Sequence, residues 1–167
     1  VVGFSLLPAP LMAQGKATVE QFLNPASPLE ITSARNADRV AWMTYDRGLR
    51  NVYTAAAPDF RPVRLTRFLE DDGTDLTNVS VSDDGSVIVF VRGHGLNREG
   101  WVANPSHDAD GAERAIWAVR AGGGPAWRLV AIAGGAPELS PDGRSVLYVK
   151  DDQIYRTRVM QPVPADS

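Results

Sequence analysis

The chain has 167 residues, which is enough for one domain of ordinary size. Lys and Arg number 17 against 20 Asp and Glu, so the formal net charge of −3 gives no support to a nucleic-acid or anionic-membrane partner. The chain contains no cysteine, which excludes disulfides, thiolate metal sites and cysteine nucleophiles.

The first fifteen residues, VVGFSLLPAPLMAQG, are mostly apolar and are followed by Lys16. This run is too short to span a bilayer as a helix. An apolar core followed by small residues is typical of the later part of a secretory signal peptide, with cleavage near Gln14 or Lys16. A buried strand is the alternative. We therefore expect residues 1–15 to be a signal-peptide remnant and the mature protein to be exported, periplasmic or secreted, without membrane attachment after cleavage.

Residues 16–30 are predicted to be a lead-in segment. Thr18 and Gln21 have the spacing of a capping box, and Pro25 limits how far a helix can continue. The pattern predicts one short helix over residues 19–23.

From Ile31 onward the pattern changes to short β-rich runs separated by Gly, Asp, Asn and Pro. No segment of this part has convincing helical periodicity. The runs are RVAWMTY, RNVYTAA, SVIVFVR, AIWAVRA, SVLYVK and QIYRTRV. They predict an all-β fold of many short strands.

An internal repeat organises these strands. The motif SDDG at residues 82–85 and the motif SPDG at residues 140–143 lie 58 residues apart, and the apolar strand after each motif matches without a gap. The run VAWM at residues 40–43 is a fainter third copy, whose turn has lost the Asp-Gly pair. In each copy a second strand follows with an aromatic residue after a β-branched one: Tyr53, Trp117 and Tyr155.

Repeated small antiparallel sheets bury both faces when they stack radially, as in a β-propeller. We therefore predict an incomplete β-propeller of about three blades over residues 31–167. The blades are expected at about 31–68, 76–131 and 136–167, the last one incomplete. The second carries an insertion between Arg92 and Ala115.

Several stretches resemble the N-terminal propeller of secreted bacterial peptidases of the prolyl oligopeptidase family, in its dipeptidyl or acylaminoacyl peptidase branch. They are EDDGTDLTNVSVSDDGSVIVFVRG, NPSHDADGAERAIWAV and LSPDGRSVLYV, within a resemblance that covers about Ile31 to Val159. The SPDGR turn by itself is shared with TolB-like propellers. The resemblance implies a propeller that restricts access and helps to hold peptide substrates for an α/β-hydrolase domain with a Ser-Asp-His triad.

No residue of this chain is expected to be catalytic. The Gly-x-Ser-x-Gly motif of a nucleophile elbow is missing from the sequence, and no cofactor or metal site is predicted. His94 and His107 match no ligand spacing, and we expect both on a solvated loop. Asp71, Asp72 and Asp75 lack the alternation of a calcium loop, so a turn between blades is predicted there.

The insertion at residues 93–113 is the candidate binding segment, because long loops on a rigid scaffold tend to carry binding surfaces. Asn97, Arg98, Trp101 and Asn104 are the candidate substrate contacts. The alternative is a loop that packs on its own blade or on a neighbour. Trp42, Trp117 and Trp127, at strand positions, are expected in the core or between blades.

The leading functional prediction is thus the propeller part of an exported serine peptidase, inactive by itself, whose partners are a C-terminal hydrolase domain and a peptide substrate. The alternative is a TolB-like periplasmic propeller that acts as a protein-binding platform. Nothing favours a third class, a carbohydrate- or small-molecule-binding propeller. Because the last blade has an uncovered face, we also expect the isolated chain to self-associate.

Overall fold

The computed structural model of the chain describes residues 26–132 and 134–160. These residues form β-strands and connecting turns, without a helix, so the all-β prediction is confirmed. The predicted signal remnant and the short helix at residues 19–23 lie outside the described residues. The eleven strands are β1 (Ser27–Ser33), β2 (Arg39–Asp46), β3 (Leu49–Ala56), β4 (Val63–Arg64), β5 (Leu76–Val81), β6 (Val87–Arg92), β7 (Ala115–Arg120), β8 (Trp127–Ala131), β9 (Gly134–Leu139), β10 (Ser145–Lys150) and β11 (Gln153–Arg158).

The strands form three antiparallel sheets in which each strand pairs with its neighbour in sequence. The first sheet has the order β1-β2-β3-β4, the second β5-β6-β7-β8, and the third β9-β10-β11. The first strand begins at Ser27, inside the segment predicted as a lead-in. Tight turns favour this order because they can join only neighbouring antiparallel strands, although β6 and β7 are joined by a longer connection.

The turn between β5 and β6 of the second sheet is stabilised by a short polar motif. The Ser82 hydroxyl donates to Asp84 Oδ1 at 2.6 Å, and the Ser86 amide donates to the same oxygen at 2.9 Å. Gly85 has a φ of +71°, a conformation that side chains with a Cβ rarely adopt. The Ser82 hydroxyl and then the Ser86 amide hold the pKa of Asp84 below its ordinary value, because both stabilise the carboxylate.

The turn between β9 and β10 in the third sheet repeats the bonds of this Ser and this Asp. Ser140 donates to Asp142 Oδ1 at 2.6 Å, the Arg144 amide donates to it at 3.0 Å, and Gly143 has a φ of +67°. The same two bonds, led by the Ser140 hydroxyl, lower the pKa of Asp142. The repeat predicted from sequence therefore extends to individual hydrogen bonds.

The corresponding turn of the first sheet has no Asp-Gly pair but keeps the closing bond. The Ala34 amide donates to the Arg39 carbonyl at 2.9 Å, as the Ser82 amide does to the Val87 carbonyl. The same backbone hydrogen bond thus closes the turns of two sheets whose turn sequences differ.

Successive sheets are joined by hydrogen bonds between these turns. The Asn36 amide donates to the Asp83 carbonyl at 2.8 Å, and the Asp83 amide donates to the Pro141 carbonyl at 2.9 Å. The turns approach closely: a Cβ on Gly143 would lie 2.9 Å from the Ser82 Cβ. The first strands are also neighbours, since β1 contacts β5 and β5 contacts β9.

The second sheet is buried on both faces. Its first face, with Ile88 and Phe90, packs against Met43 and Val52 of the first sheet in one apolar cluster. Its second face, with Val89 and Val91, packs in another cluster that includes residues of the third sheet. Each fully buried aliphatic or aromatic side chain contributes about 1.5–3 kcal/mol, so these two interfaces supply most of the apolar stabilisation.

The second face of the third sheet is exposed, although its residues match buried ones. Leu147 and Val149 are 45% and 41% exposed, whereas Val89 and Val91, 58 positions earlier, are 0% exposed. On the neighbouring strand β11, Ile154 is 77% exposed. The face keeps its apolar residues where no described element covers it.

A buried asparagine connects the first sheet with the segment leading to the second. Asn51, on β3, accepts hydrogen bonds at Oδ1 from the Thr66 hydroxyl and the Phe68 amide, both at 2.9 Å. Its Nδ2 donates to the Phe68 carbonyl at 3.0 Å. The Phe68 ring then packs edge-on against Phe90 and Trp117 of the second sheet. The Asn51 side chain thereby bonds to the Phe68 backbone as a neighbouring strand would, and it fixes Phe68 between the first two sheets.

Candidate functional site

The long connection between β6 and β7 contains the four residues predicted to contact substrate. Its first turn is built on Asn97, whose Oδ1 accepts hydrogen bonds from the Glu99 amide at 3.1 Å and the Trp101 amide at 2.8 Å. This turn leaves Arg98 exposed and Trp101 73% exposed. Arg98 and Trp101 are therefore presented to solvent by a turn that Asn97 stabilises.

Asn104 organises a second turn in the same connection. Its Nδ2 donates to the Asp108 carbonyl at 2.9 Å, and its Oδ1 accepts from the Asp108 amide at 3.0 Å. The four candidates thus lie on one connection but in two separate turns. Both asparagine oxygens hold backbone amides, a role typical of Asn in turns. The binding hypothesis consequently rests on Arg98 and Trp101.

The acidic segment of residues 70–75, between the first and second sheets, supports the base of this connection. Asp72 forms an ion pair with Arg92 at the end of β6. Burial raises the pKa of Asp72, but the Thr74 amide and the Arg92 guanidinium outweigh this effect and hold the pKa below its ordinary value. The Arg92 guanidinium also lies 4.4 Å from the centre of the Phe68 ring.

His94 is held in place by the same segment. Its Nδ1 lies 2.8 Å from Asp75 Oδ2, and its Nε2 lies 2.9 Å from the Gly73 carbonyl oxygen. The prediction of a solvated loop therefore does not describe His94, whose side chain is only 23% exposed. It does describe His107, which is exposed. The sequence places Asp75 and His94 nineteen positions apart, so only the strand pairing of β5 with β6 brings them together.

A pocket of about 270 Å³ lies between the connection and the strand ends. Asp72, Arg92, His94, Glu113 and Trp117 are among the residues that line it. The hydrogen bonds and charge of the Arg128 guanidinium hold the pKa of Glu113 below its ordinary value. Two carboxylates of this pocket are thus paired with arginines, Asp72 with Arg92 and Glu113 with Arg128. Within residues 26–132 and 134–160, no group of three or more His, Asp or Glu side chains could hold a metal ion.

The tryptophans expected in the core or between blades differ in burial. Trp127 is 6% exposed, while Trp117 is half-buried against the apolar cluster between the first two sheets. Trp42 is also half-buried and stacks on Tyr53, with ring centres 5.9 Å apart.

No protein-family model matches this sequence, and no curated protein matches it. In the part of the chain that the structure describes, no helix is long and apolar enough to cross a membrane.

Proposed function

We propose that this chain is the propeller portion of an exported serine peptidase of the prolyl oligopeptidase family. In this proposal it holds or gates peptide substrates for an α/β-hydrolase domain carried by other residues of a longer protein. The chain itself performs no catalysis. The prolyl oligopeptidase assignment comes from the sequence resemblance, and the stacked sheets support the propeller part of it.

The exposed second face of the third sheet is the observation that carries the proposal. In the second sheet the same positions are fully buried by the next sheet, and the exposed apolar residues Leu147, Val149 and Ile154 suit the same kind of contact. An exposed apolar sheet face of this kind marks an interaction surface. A further sheet packed on it would extend the stack towards a ring of four to eight blades.

The 93–113 connection supplies the proposed substrate contact. It stands on a base fixed by the Arg92–Asp72 ion pair and by the contacts of His94 with Asp75 and Gly73, and it presents Trp101 and Arg98 to solvent. Trp and Arg are the side chains most often found at the energetic centres of protein interfaces. A peptide held there would be positioned by the scaffold while the chemistry takes place elsewhere.

The coding sequence downstream of Ser167 tests the proposal directly. A hydrolase domain with a Gly-x-Ser-x-Gly motif would support it, and closing strands followed by a stop codon would instead support a TolB-like protein-binding platform. In the longer protein, labelling by a fluorophosphonate probe would report the active serine. Replacing Trp101 by Ala should then raise KM for peptide substrates with little change in that labelling, and an unchanged KM would remove Trp101 from the substrate site.

A further inference from the structure

Three arginines, which we call the arginine row after their regular spacing in the sequence, lie on β4 and on the residues beside it. Arg61, Arg64 and Arg67 occur at every third position, and all three are exposed. None of them forms an ion pair with a carboxylate of the described residues, whereas Arg92 and Arg128 each do. The row is therefore a local excess of positive charge on a chain whose net charge is −3.

Arg64 lies on an open sheet edge, and Arg61 and Arg67 lie on the residues that flank it. β4 is the last strand of the first sheet and pairs only with β3 among the described strands. Val63, at its start, is 50% exposed. Such an edge offers unpaired backbone groups to which an extended peptide can add as a further strand.

An aromatic pocket adjoins this edge. It has a volume of about 580 Å³ and is lined by Arg64 and Arg67 together with Phe68, Trp117 and Pro125, among other residues. The rings of Phe68 and Trp117 meet edge to face with centres 6.3 Å apart. The Asn51 hydrogen bonds fix the backbone of Phe68, so the aromatic wall is formed before any peptide binds.

We propose that β4, its three arginines and this pocket form a docking surface for an extended acidic peptide segment that carries one aromatic residue. The acidic side chains pair with the arginine row, the peptide backbone bonds to the free edge of β4, and the aromatic side chain enters the pocket. Charge complementarity selects this partner, because the guanidinium groups have no carboxylate of their own. The surface uses none of the residues of the 93–113 connection and thus goes beyond the function proposed above.

Fluorescence anisotropy with a labelled peptide, Glu-Asp-Glu-Phe-Glu-Asp-Glu, tests the proposal on the chain itself at about 0.1 M salt. The charge reversal Arg64→Glu with Arg67→Glu should weaken binding by about tenfold or more. The matched control, Arg47→Glu with Arg144→Glu, changes the net charge equally at side chains that are 77% and 86% exposed and do not line the pocket, and it should leave binding nearly unchanged. Circular dichroism and thermal unfolding verify that both variants fold.

Hydrogen exchange supplies a second readout that net charge alone would not move. Bound peptide should slow amide exchange in residues 63–67 and leave β11 unaffected. The proposal is overturned if the peptide does not bind, if both double variants weaken it equally, or if a peptide with Lys in place of Glu and Asp binds as well. None of these outcomes depends on a hydrolase domain, so the result is independent of the peptidase proposal.

Discussion

Replacing Asn51 by Ala should be among the most destabilising polar substitutions in the described residues. Asn51 is 4% exposed and takes part in three hydrogen bonds, with the Thr66 hydroxyl, the Phe68 amide and the Phe68 carbonyl. Each such bond contributes about 1 kcal/mol net, and a buried group left without a partner costs about 1–3 kcal/mol. We expect the free energy of unfolding to fall by about 3 kcal/mol.

Urea unfolding followed by tryptophan fluorescence and circular dichroism measures this change. For a chain of this size, 3 kcal/mol corresponds to a fall of about 6–12 °C in Tm. Asn36→Ala is the matched control, because Asn36 is exposed and only its backbone amide bonds to Asp83. Its effect should stay within about 0.5 kcal/mol.

The fluorescence signal also shows whether losing the Asn51 hydrogen bonds alters the packing around Trp117 in the second sheet. Without Asn51, Phe68 loses the bonds that fix it beside Trp117, so native-state tryptophan emission should change as well. A loss of stability below about 1 kcal/mol in Asn51→Ala would refute the view that this side chain replaces a backbone partner.

Three further substitutions test the repeat and its faces. Gly143→Ala should lower the free energy of unfolding by about 1–3 kcal/mol, because φ is +67° and the new Cβ would lie 2.9 Å from Ser82 Cβ. Gly95→Ala, with open space around it, is the control. Equal urea midpoints for the two variants would contradict the turn geometry. Because the pKa of Asp84 is lower in the folded state, its carboxylate stabilises the protein above about pH 3.8, and this contribution is lost as pH falls through the folded pKa. Asp84→Asn should therefore flatten the acid side of the stability curve measured by urea unfolding, and parallel curves for both proteins would oppose this. Ile154→Glu should reduce self-association seen by sedimentation velocity, a prediction that fails if the unchanged chain is already a monodisperse monomer.

The turns and the strands after them could be predicted because their signals are local. Ser82 and Ser140 each precede an Asp-Gly pair, and every atom of that turn comes from a few consecutive residues. Alternating apolar positions after the turn then indicate a strand with one buried row. The strand type, the all-β class and the repeat can all be inferred from such short-range information.

Elements whose conformation depends on a distant partner could not be predicted in this way. β9 has the sequence GGAPEL, which is typical of a turn, but it forms a strand between β10 and the neighbouring β5. β1 contains Pro28 and begins in the predicted lead-in, yet it pairs along β2. In both cases the neighbouring strand supplies the hydrogen bonds that the local sequence does not favour.

In the candidate site, too, local features could be predicted and features that depend on distant residues could not. The sequence singled out the 93–113 connection correctly as a long exposed segment, but it did not separate Asn97 and Asn104, which stabilise turns, from Arg98 and Trp101, which face solvent. The turn-forming residues near each Asn, Gly100 after Asn97 and Pro105 after Asn104, were a usable signal for these turns. The contacts of His94 with Gly73 and Asp75 had no such signal, because tertiary structure alone brings these residues together.

The hydrogen bonds between the turns make two backbone amides natural gauges of sheet separation. The Asp83 amide is bonded across the boundary to the Pro141 carbonyl, and the Asn36 amide is bonded across the preceding boundary to the Asp83 carbonyl. Deuterium can replace either hydrogen only when two sheets part or their turns melt. The exchange rates of these two positions would therefore give an opening free energy for each boundary, and reveal whether the stack comes apart from one end or all at once.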